Sequence, residues 1–242
     1  MTKINLKNVY LNYPVLGGDS RSFKKNLFRK FNKNKFFESN EKIIHVQALK
    51  GINLKIQEGE KIGLYGKNGS GKTTLLKIIN KIYKPTSGEV FISGKINSLI
   101  EFNSGMSEHL TGLENIIFRL RLLGLKKDEI DEKITQIIEF SELKEFIYLP
   151  LKMYSSGMRM RLGFTILTCI HSDITLMDEW LSVGDVDFQK KAESKLKSII
   201  SETKILILAS QNLDQLKKIC NKILYINDGA IMEESKISIF ND

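Results

Sequence analysis

At 242 residues the chain is long for one domain and short for two, which favours one large core or a core with a subdomain. Its 42% hydrophobic and 27% charged residues, with a mean hydropathy of −0.16, are those of a soluble globular protein and exclude a fully disordered chain or a fibre. The 37 Lys and Arg against 28 Asp and Glu leave a formal charge of +9.

In chain order, Val9 to Tyr13 and Leu49 to Ile56 read as strands, the second with apolar residues at alternate positions from Ile52 to Ile56. After the turn Gln57-Glu58-Gly59-Glu60, a third strand, Lys61 to Tyr65, runs into a glycine-rich loop. A helix over Thr73 to Ile82 follows, stopped by Pro85 and Thr86-Ser87-Gly88. Strands at Glu89 to Ile92 and Ile96 to Ile100 lead to a helical middle, Gly112 to Leu149, holding amphipathic segments at Leu113 to Leu123 and Lys127 to Phe140. Then come a helix at Arg159 to Ile170, a strand at Ile174 to Met177, a helix at Gln189 to Ser201 and a buried strand at Ile205 to Ala209. The tail reads strand, turn, strand: Ile223 to Asn227, Asp228-Gly229, Ala230 to Met232. Strands alternating with helices predict an α/β sheet with a helical insertion.

No apolar run approaches the roughly 18–20 residues that cross a bilayer, the best being Leu162 to Ile170. Met1 to Asn5 has neither an apolar core nor a cleavage site, so a cytoplasmic chain is expected. Cys169 and Cys220 are far apart in apolar surroundings and read as reduced packing thiols. His45, His109 and His171 fall on no catalytic motif and read as surface or satisfied structural residues.

Three motifs carry chemistry. Gly66-Lys67-Asn68-Gly69-Ser70-Gly71-Lys72-Thr73 fits the phosphate-binding loop in full and stands between a strand and a helix, with Thr74 next in that helix. Its glycines let successive N–H groups face a β-phosphate beside the positive end of the helix. Lys72 would reach the β- and γ-phosphates, and the Thr73 hydroxyl would bind Mg²⁺. Ile174 to Glu179 is a buried strand ending in two acids: Asp178 is placed to hold the magnesium shell and Glu179 to polarise a water. Tyr154 to Leu162 contains Ser155-Ser156-Gly157 ahead of a helix, which is also an ordinary N-cap pattern.

That order of motifs resembles the ATP-binding cassette family over nearly the whole chain, and more narrowly the subfamily that energises export of lipid-linked polysaccharides such as O-antigen, capsule and teichoic acid. The narrower resemblance rests on Asn97 to Phe102 running into Met106 and Leu110 to Ile116, on Asp178 to Asp185, and on the insertion between Tyr13 and His45. It implies a P-loop NTPase fold of ABC type: a core mixed sheet, an antiparallel β-subdomain and a helical signature subdomain at about 105–160. It implies one nucleotide-binding domain over 1–242, a basic insertion at 17–45 and no C-terminal carbohydrate-binding domain.

The resemblance gives ATP and Mg²⁺ as cofactors. Tyr13 matches the aromatic that stacks on adenine, Glu101 stands at the usual Q-loop glutamine near the metal, and Ser155, Ser156 and Gly157 contact the γ-phosphate from the opposite protomer. It further implies a homodimer sandwiching two ATP molecules, an integral-membrane permease as partner, and a peripheral place on the cytoplasmic face of the membrane. Two positions depart from the wider family: Met158 replaces a common Gln, and Gln211 stands where a switch histidine is expected. A glutamine amide can hydrogen-bond the γ-phosphate but cannot carry a proton as imidazolium can, so catalysis leans on Glu179.

The charge is uneven: residues 20–42 hold eight cations against Glu38 and Glu41, +6 of the +9. Phe23, Leu27, Phe28 and Phe31 recur among them at helical spacing. The stretch can lie on anionic lipid, touch a partner protein, or be a solvated insertion whose phenylalanines fold back. A basic stripe confined to one insertion is a weak nucleic-acid footprint, so no nucleic acid is expected. The alternative reading is a soluble non-transport ABC ATPase acting on nucleic acid or ribosomes.

Overall fold

The computed structural model describes residues 1–14, 36–38, 44–179 and 186–236. The chain begins with β1 (Lys3–Pro14), β2 (Phe36–Glu38), β3 (Ile44–Gln57), β4 (Lys61–Tyr65), α1 (Lys72–Ile79), β5 (Ser87–Ser93) and β6 (Ile96–Leu99). The helices α2 (Gly112–Leu122), α3 (Lys127–Ser141) and α4 (Ser156–Thr168) follow, with short 3-10 turns at Lys144–Tyr148 and Leu151–Met153. Last come β7 (Ile174–Asp178), α5 (Val186–Glu202), β8 (Ile205–Ser210), α6 (Leu213–Ile219), β9 (Lys222–Asn227) and β10 (Ala230–Lys236). These form two compact units, one from Met1–Ile96, Leu176–Glu179 and Lys204–Asp242, the other from Asn97–Thr175 and Trp180–Thr203.

In the first unit, an antiparallel sheet runs in the order β2-β3-β1-β5. Strand β1 starts well before the Val9 that alternation suggests. Ile4 and Leu6 are buried, and then Val9 and Leu11, so the inward phase flips in between. The register shifts between Leu6 and Val9, and Asn8 takes φ 49°, the signature of a bulge that period-2 reading cannot follow. The mixed sheet orders its strands β10-β9-β4-β8 in this unit, with the end of β7 beside β8. Strand β4 runs parallel to β8 and β9, and β10 antiparallel to β9. Ile62 to Leu64 and all of β8 are buried, as expected of parallel strands covered on both faces. Helix α1 buries Leu75, Leu76, Ile78 and Ile79 and ends before the predicted Ile82, because Lys81 turns the chain at φ 59°. Helix α6, which the periodicity did not reveal, presses Leu216 onto Gly63, where a Cβ would meet the leucine at 3.2 Å.

The second unit packs α2, α3 and α4 around Ile116, Leu120, Ile137, Ile147, Leu162 and Ile166, each almost fully buried and each worth about 1.5–3 kcal/mol of apolar burial. Thr111 opens α2 with a reciprocal cap: its hydroxyl accepts from Glu114 N at 3.1 Å and its N–H donates to Glu114 Oε2 at 2.8 Å. Those Thr111 bonds hold the Glu114 carboxyl below its ordinary pKa. The Phe164 ring stacks on Phe140 at 6.3 Å and meets Phe102 and Phe188 at 6.0 Å. Tyr154 closes the base, donating to Phe146 O at 2.6 Å, and burial pushes its hydroxyl up to about 12. Among the described residues no helix is long and apolar enough to cross a membrane. Both cysteines are free thiols, as expected.

Candidate functional site

The phosphate loop joins β4 to α1 at one end of the mixed sheet. Gly66 opens it where no side chain fits, since a Cβ there would stand 2.3 Å from Ile226 O and 2.7 Å from Ser70 Oγ. Gly69 and Gly71 take φ 76° and 111°, the left-handed region that glycine enters without strain. Gly71 caps α1 with no side-chain acceptor, which leaves the N–H groups of the first turn to an incoming acceptor. Gly229 N donates to Ser70 O at 2.8 Å and fixes the loop from below. The Ser70 hydroxyl is buried without a hydrogen-bond partner, an orphaned donor at the floor of the loop. Lys72, 6% exposed, folds its ammonium back onto Gly66 O at 2.6 Å and Lys67 O at 3.1 Å.

The acid pair arrives from 105 residues further on. Asp178 ends β7 and accepts from Thr73 Oγ1 at 2.5 Å, so hydroxyl and carboxylate share one spot. Glu179 is exposed and takes φ 66°, which costs a non-glycine residue about 1–3 kcal/mol and is held by its N–H bond to Ala209 O at 2.8 Å. Gln211, just past β8, donates through Nε2 to Asn68 Oδ1 at 2.9 Å and reaches Glu179 Oε1 at 3.5 Å. One amide thus spans the phosphate loop and the second acid.

Tyr13, at the end of β1, is half-buried and meets Tyr83 edge-on at 5.5 Å. Burial raises its pKa, against the lowering effect of its hydrogen bond with Thr74 in α1. Tyr83 and Lys77, whose ammonium lies 5.7 Å over the Tyr83 ring, complete this rim, and sequence reading missed both. The available signal was a lysine in the last turn of α1, Lys77, with an aromatic, Tyr83, just past that helix.

The second unit carries the remaining candidates. Ser155 caps α4, its hydroxyl accepting from Met158 N at 3.2 Å, and Ser156 and Gly157 form the first helical turn. Glu101 is exposed in the segment after β6. Trp180 to Asp185, most of the basic insertion 17–45 and its 20–42 stretch lie outside the described residues. His109 and His171 are exposed and His45 is half-buried. No cluster of three His, Cys, Asp or Glu able to hold a metal occurs among the described residues.

A profile of the family described as ABC transporter matches residues 49–182, more than half of the chain and the stretch that holds both the phosphate loop and the acid pair. The O-antigen export system ATP-binding protein RfbE of Yersinia enterocolitica is 38% identical over 235 residues, covering 97% of this chain and 98% of that one. The teichoic acids export ATP-binding protein TagH of Staphylococcus haemolyticus is 40% identical over 230 residues, covering 95% of this chain and 83% of that one. In fold, the chain is similar to the ATP-binding cassette MJ0796 in a dimeric post-hydrolysis state bound to ADP and Pi, with TM-score 0.71 and 24% identity over 98% of this chain and all of that one. The chain belongs to the ABC transporter family.

Proposed function

We propose that this protein is the ATP-hydrolysing subunit of an exporter that drives a lipid-linked polysaccharide, of O-antigen, capsule or teichoic acid type, across the cytoplasmic membrane through a separate permease. The observation that carries the catalytic part is the meeting of Thr73 with Asp178 and of Gln211 with Asn68 and Glu179, three distant motifs at one end of one sheet. The names of the relatives support the cargo class. They favour export over a role on nucleic acid or ribosomes.

The loop fits a triphosphate. Uncapped N–H groups at α1, the orphaned Ser70 hydroxyl and an ammonium now held only by carbonyls offer donors that phosphate oxygens satisfy better. Tyr13 gives the base a face to stack on. Thr73 and Asp178 present two hard oxygens to one point, a donor set that would hold Mg²⁺, which would supply positive charge to a polyphosphate there. The resemblance to the family gives Glu101, at the Q-loop position, a role towards the metal as well.

Glu179 accepts a proton from the attacking water as its oxygen bonds the γ-phosphorus and the bond to the β-phosphate oxygen breaks. Gln211 holds that carboxylate with one N–H and the loop with the other, and so orients the base without titrating. Ser155, Ser156 and Gly157 act on the nucleotide held by a second copy, giving a homodimer with two ATP molecules. The dimer works peripherally on the cytoplasmic face beside the permease, where the +6 of residues 20–42 favours anionic lipid.

The test uses the Glu179→Gln chain. With ATP and magnesium it should hydrolyse at least about 10²-fold more slowly and elute as a nucleotide-bound dimer. A monomer under those conditions sinks the sandwich. In cells, the same substitution should abolish surface polysaccharide while the protein level stays unchanged.

A further inference from the structure

Among the polar side chains that the second unit buries are two on α2, Asn115 and Arg119. Asn115 and Arg119 stand one turn apart on α2, hence on one face, and are 0% and 6% exposed. Asn115 Oδ1 accepts from Ser107 N at 2.8 Å, and its Nδ2 donates to the carbonyls of Ser107, Leu110 and Thr111 at 3.0, 3.1 and 2.9 Å. Arg119 Nη1 donates to the carbonyl of Phe102. Burial lowers its pKa to about 10, which leaves the guanidinium charged at neutral pH.

A buried cation on a neutral carbonyl is a poor packing device, because an apolar side chain of similar length covers the same surface without the desolvation penalty. What the charge adds is a strong donor aimed at one backbone atom. That atom is also close to α4: a Cβ on Gly163 would stand 2.5 Å from Phe102 O and 2.9 Å from Phe102 C. The Phe102 side chain is itself buried, while its neighbour Glu101 is exposed. The segment that presents Glu101 is therefore pinned at Phe102 by Arg119 and at Ser107 to Thr111 by Asn115.

We propose that Arg119 is a positioning residue for Glu101: it fixes the Phe102 carbonyl so that the Glu101 carboxylate is presented from a segment locked to α2. This rests on the role given above to Glu101. Arg119 is itself buried and donates to Phe102 O, so its effect passes through one backbone carbonyl.

The experiment compares Arg119→Met, Arg119→Lys, Glu101→Gln and the Arg119→Met/Glu101→Gln pair in the full chain, reading steady-state ATP hydrolysis and amide hydrogen exchange over residues 102–107. Arg119→Met should lower kcat about tenfold with KM for ATP within about twofold, since the nucleotide is bound by the phosphate loop. Arg119→Lys should recover part of the loss, and the double variant should be no slower than Glu101→Gln alone. Exchange over 102–107 should quicken in Arg119→Met and stay unchanged in Glu101→Gln. Multiplicative losses in the double variant, or wild-type kcat in the Arg119 variants, overturn the proposal. If Arg119→Met does not fold, Arg119→Lys decides: wild-type kcat there overturns it. A Glu101→Gln chain as fast as wild type defeats the role of Glu101 itself, whereas a slow Glu101→Gln beside a fast Arg119→Met defeats only the role of Arg119.

Discussion

Two glycines in one helix should respond to alanine with opposite signs. Gly163 is an interior residue of α4, where glycine costs about 0.8–1.0 kcal/mol relative to alanine, so helix propensity alone makes Gly163→Ala stabilising by about 1 kcal/mol. The geometry says otherwise. The new Cβ would lie 2.5 Å from Phe102 O, an atom that Arg119 also holds. Overpacking costs about 1–3 kcal/mol, and the upper value applies where the obstacle is backbone. The net loss is about 2 kcal/mol, which lowers Tm by about 4–8 °C in a chain of this size. At Gly157, in the first turn of the same helix, the nearest atom to an added Cβ is Ser155 Oγ at 3.8 Å, and Gly157→Ala should raise Tm by about 1–4 °C. Thermal unfolding followed by far-UV circular dichroism reads both. A Gly163→Ala chain as stable as wild type would mean that Phe102 does not approach α4 as described, and would remove the physical basis for the Arg119 proposal.

Gln211→His should raise hydrolysis and give the pH–rate profile an acid limb near about pH 6.5, where the wild-type amide contributes none; an unchanged rate and profile would mean that position 211 does not bear on the chemistry. Burial holds the Cys220 thiol protonated up to about 12 and the Cys169 thiol up to about 11, against an ordinary value of 9.0. Both should therefore resist a thiol reagent at pH 8 until urea is added, and rapid native labelling would contradict this. Since the raised values belong to the folded state, the stability that these thiols contribute is complete below pH 9 and is lost as pH rises towards 11–12, which urea midpoints across that range can follow. Deleting residues 23–37 should lower flotation with anionic vesicles and spare ATP binding; equal flotation would leave the basic stretch without a lipid role.

The phosphate loop and the acid pair were legible because each is a contiguous string whose spacing is set by one strand end and one helix start. What joins them was not. Thr73 meets Asp178 across 105 residues and Gln211 meets Asn68 across 143, through a strand order that no local pattern encodes. Helix α6 escaped notice because seven residues show barely two turns of periodicity, although its ends were marked: Asn212 accepts from Gln215 N at 3.0 Å, Asp214 lies in the first turn, and Lys217 and Lys218 lie in the last. The pattern on α2 misled in the other direction. The amphipathic reading of Leu113 to Leu123 singles out neither Asn115 nor Arg119, yet both are buried, since their partners are backbone groups of a loop rather than side chains with their own periodicity.

The glycines also separate what the fold demands from what a ligand demands. Gly66 is required by its own unit, because any Cβ there meets Ile226 O. Gly163 is required by Phe102 in the same way. Gly157 meets no such obstacle among the described residues: its φ is not in the left-handed region and an added methyl would meet Ser155 Oγ at an ordinary 3.8 Å. A glycine beside an N-capping serine, at a helix start with room above it, is suited to the close approach of something from outside, and an anion is what a helix N-terminus favours. The opposed stability and activity effects of Gly157→Ala, a more stable chain that hydrolyses more slowly, would therefore separate a ligand-facing glycine from a structural one, and a more stable chain with full turnover would leave the facing-copy arrangement without support from this position.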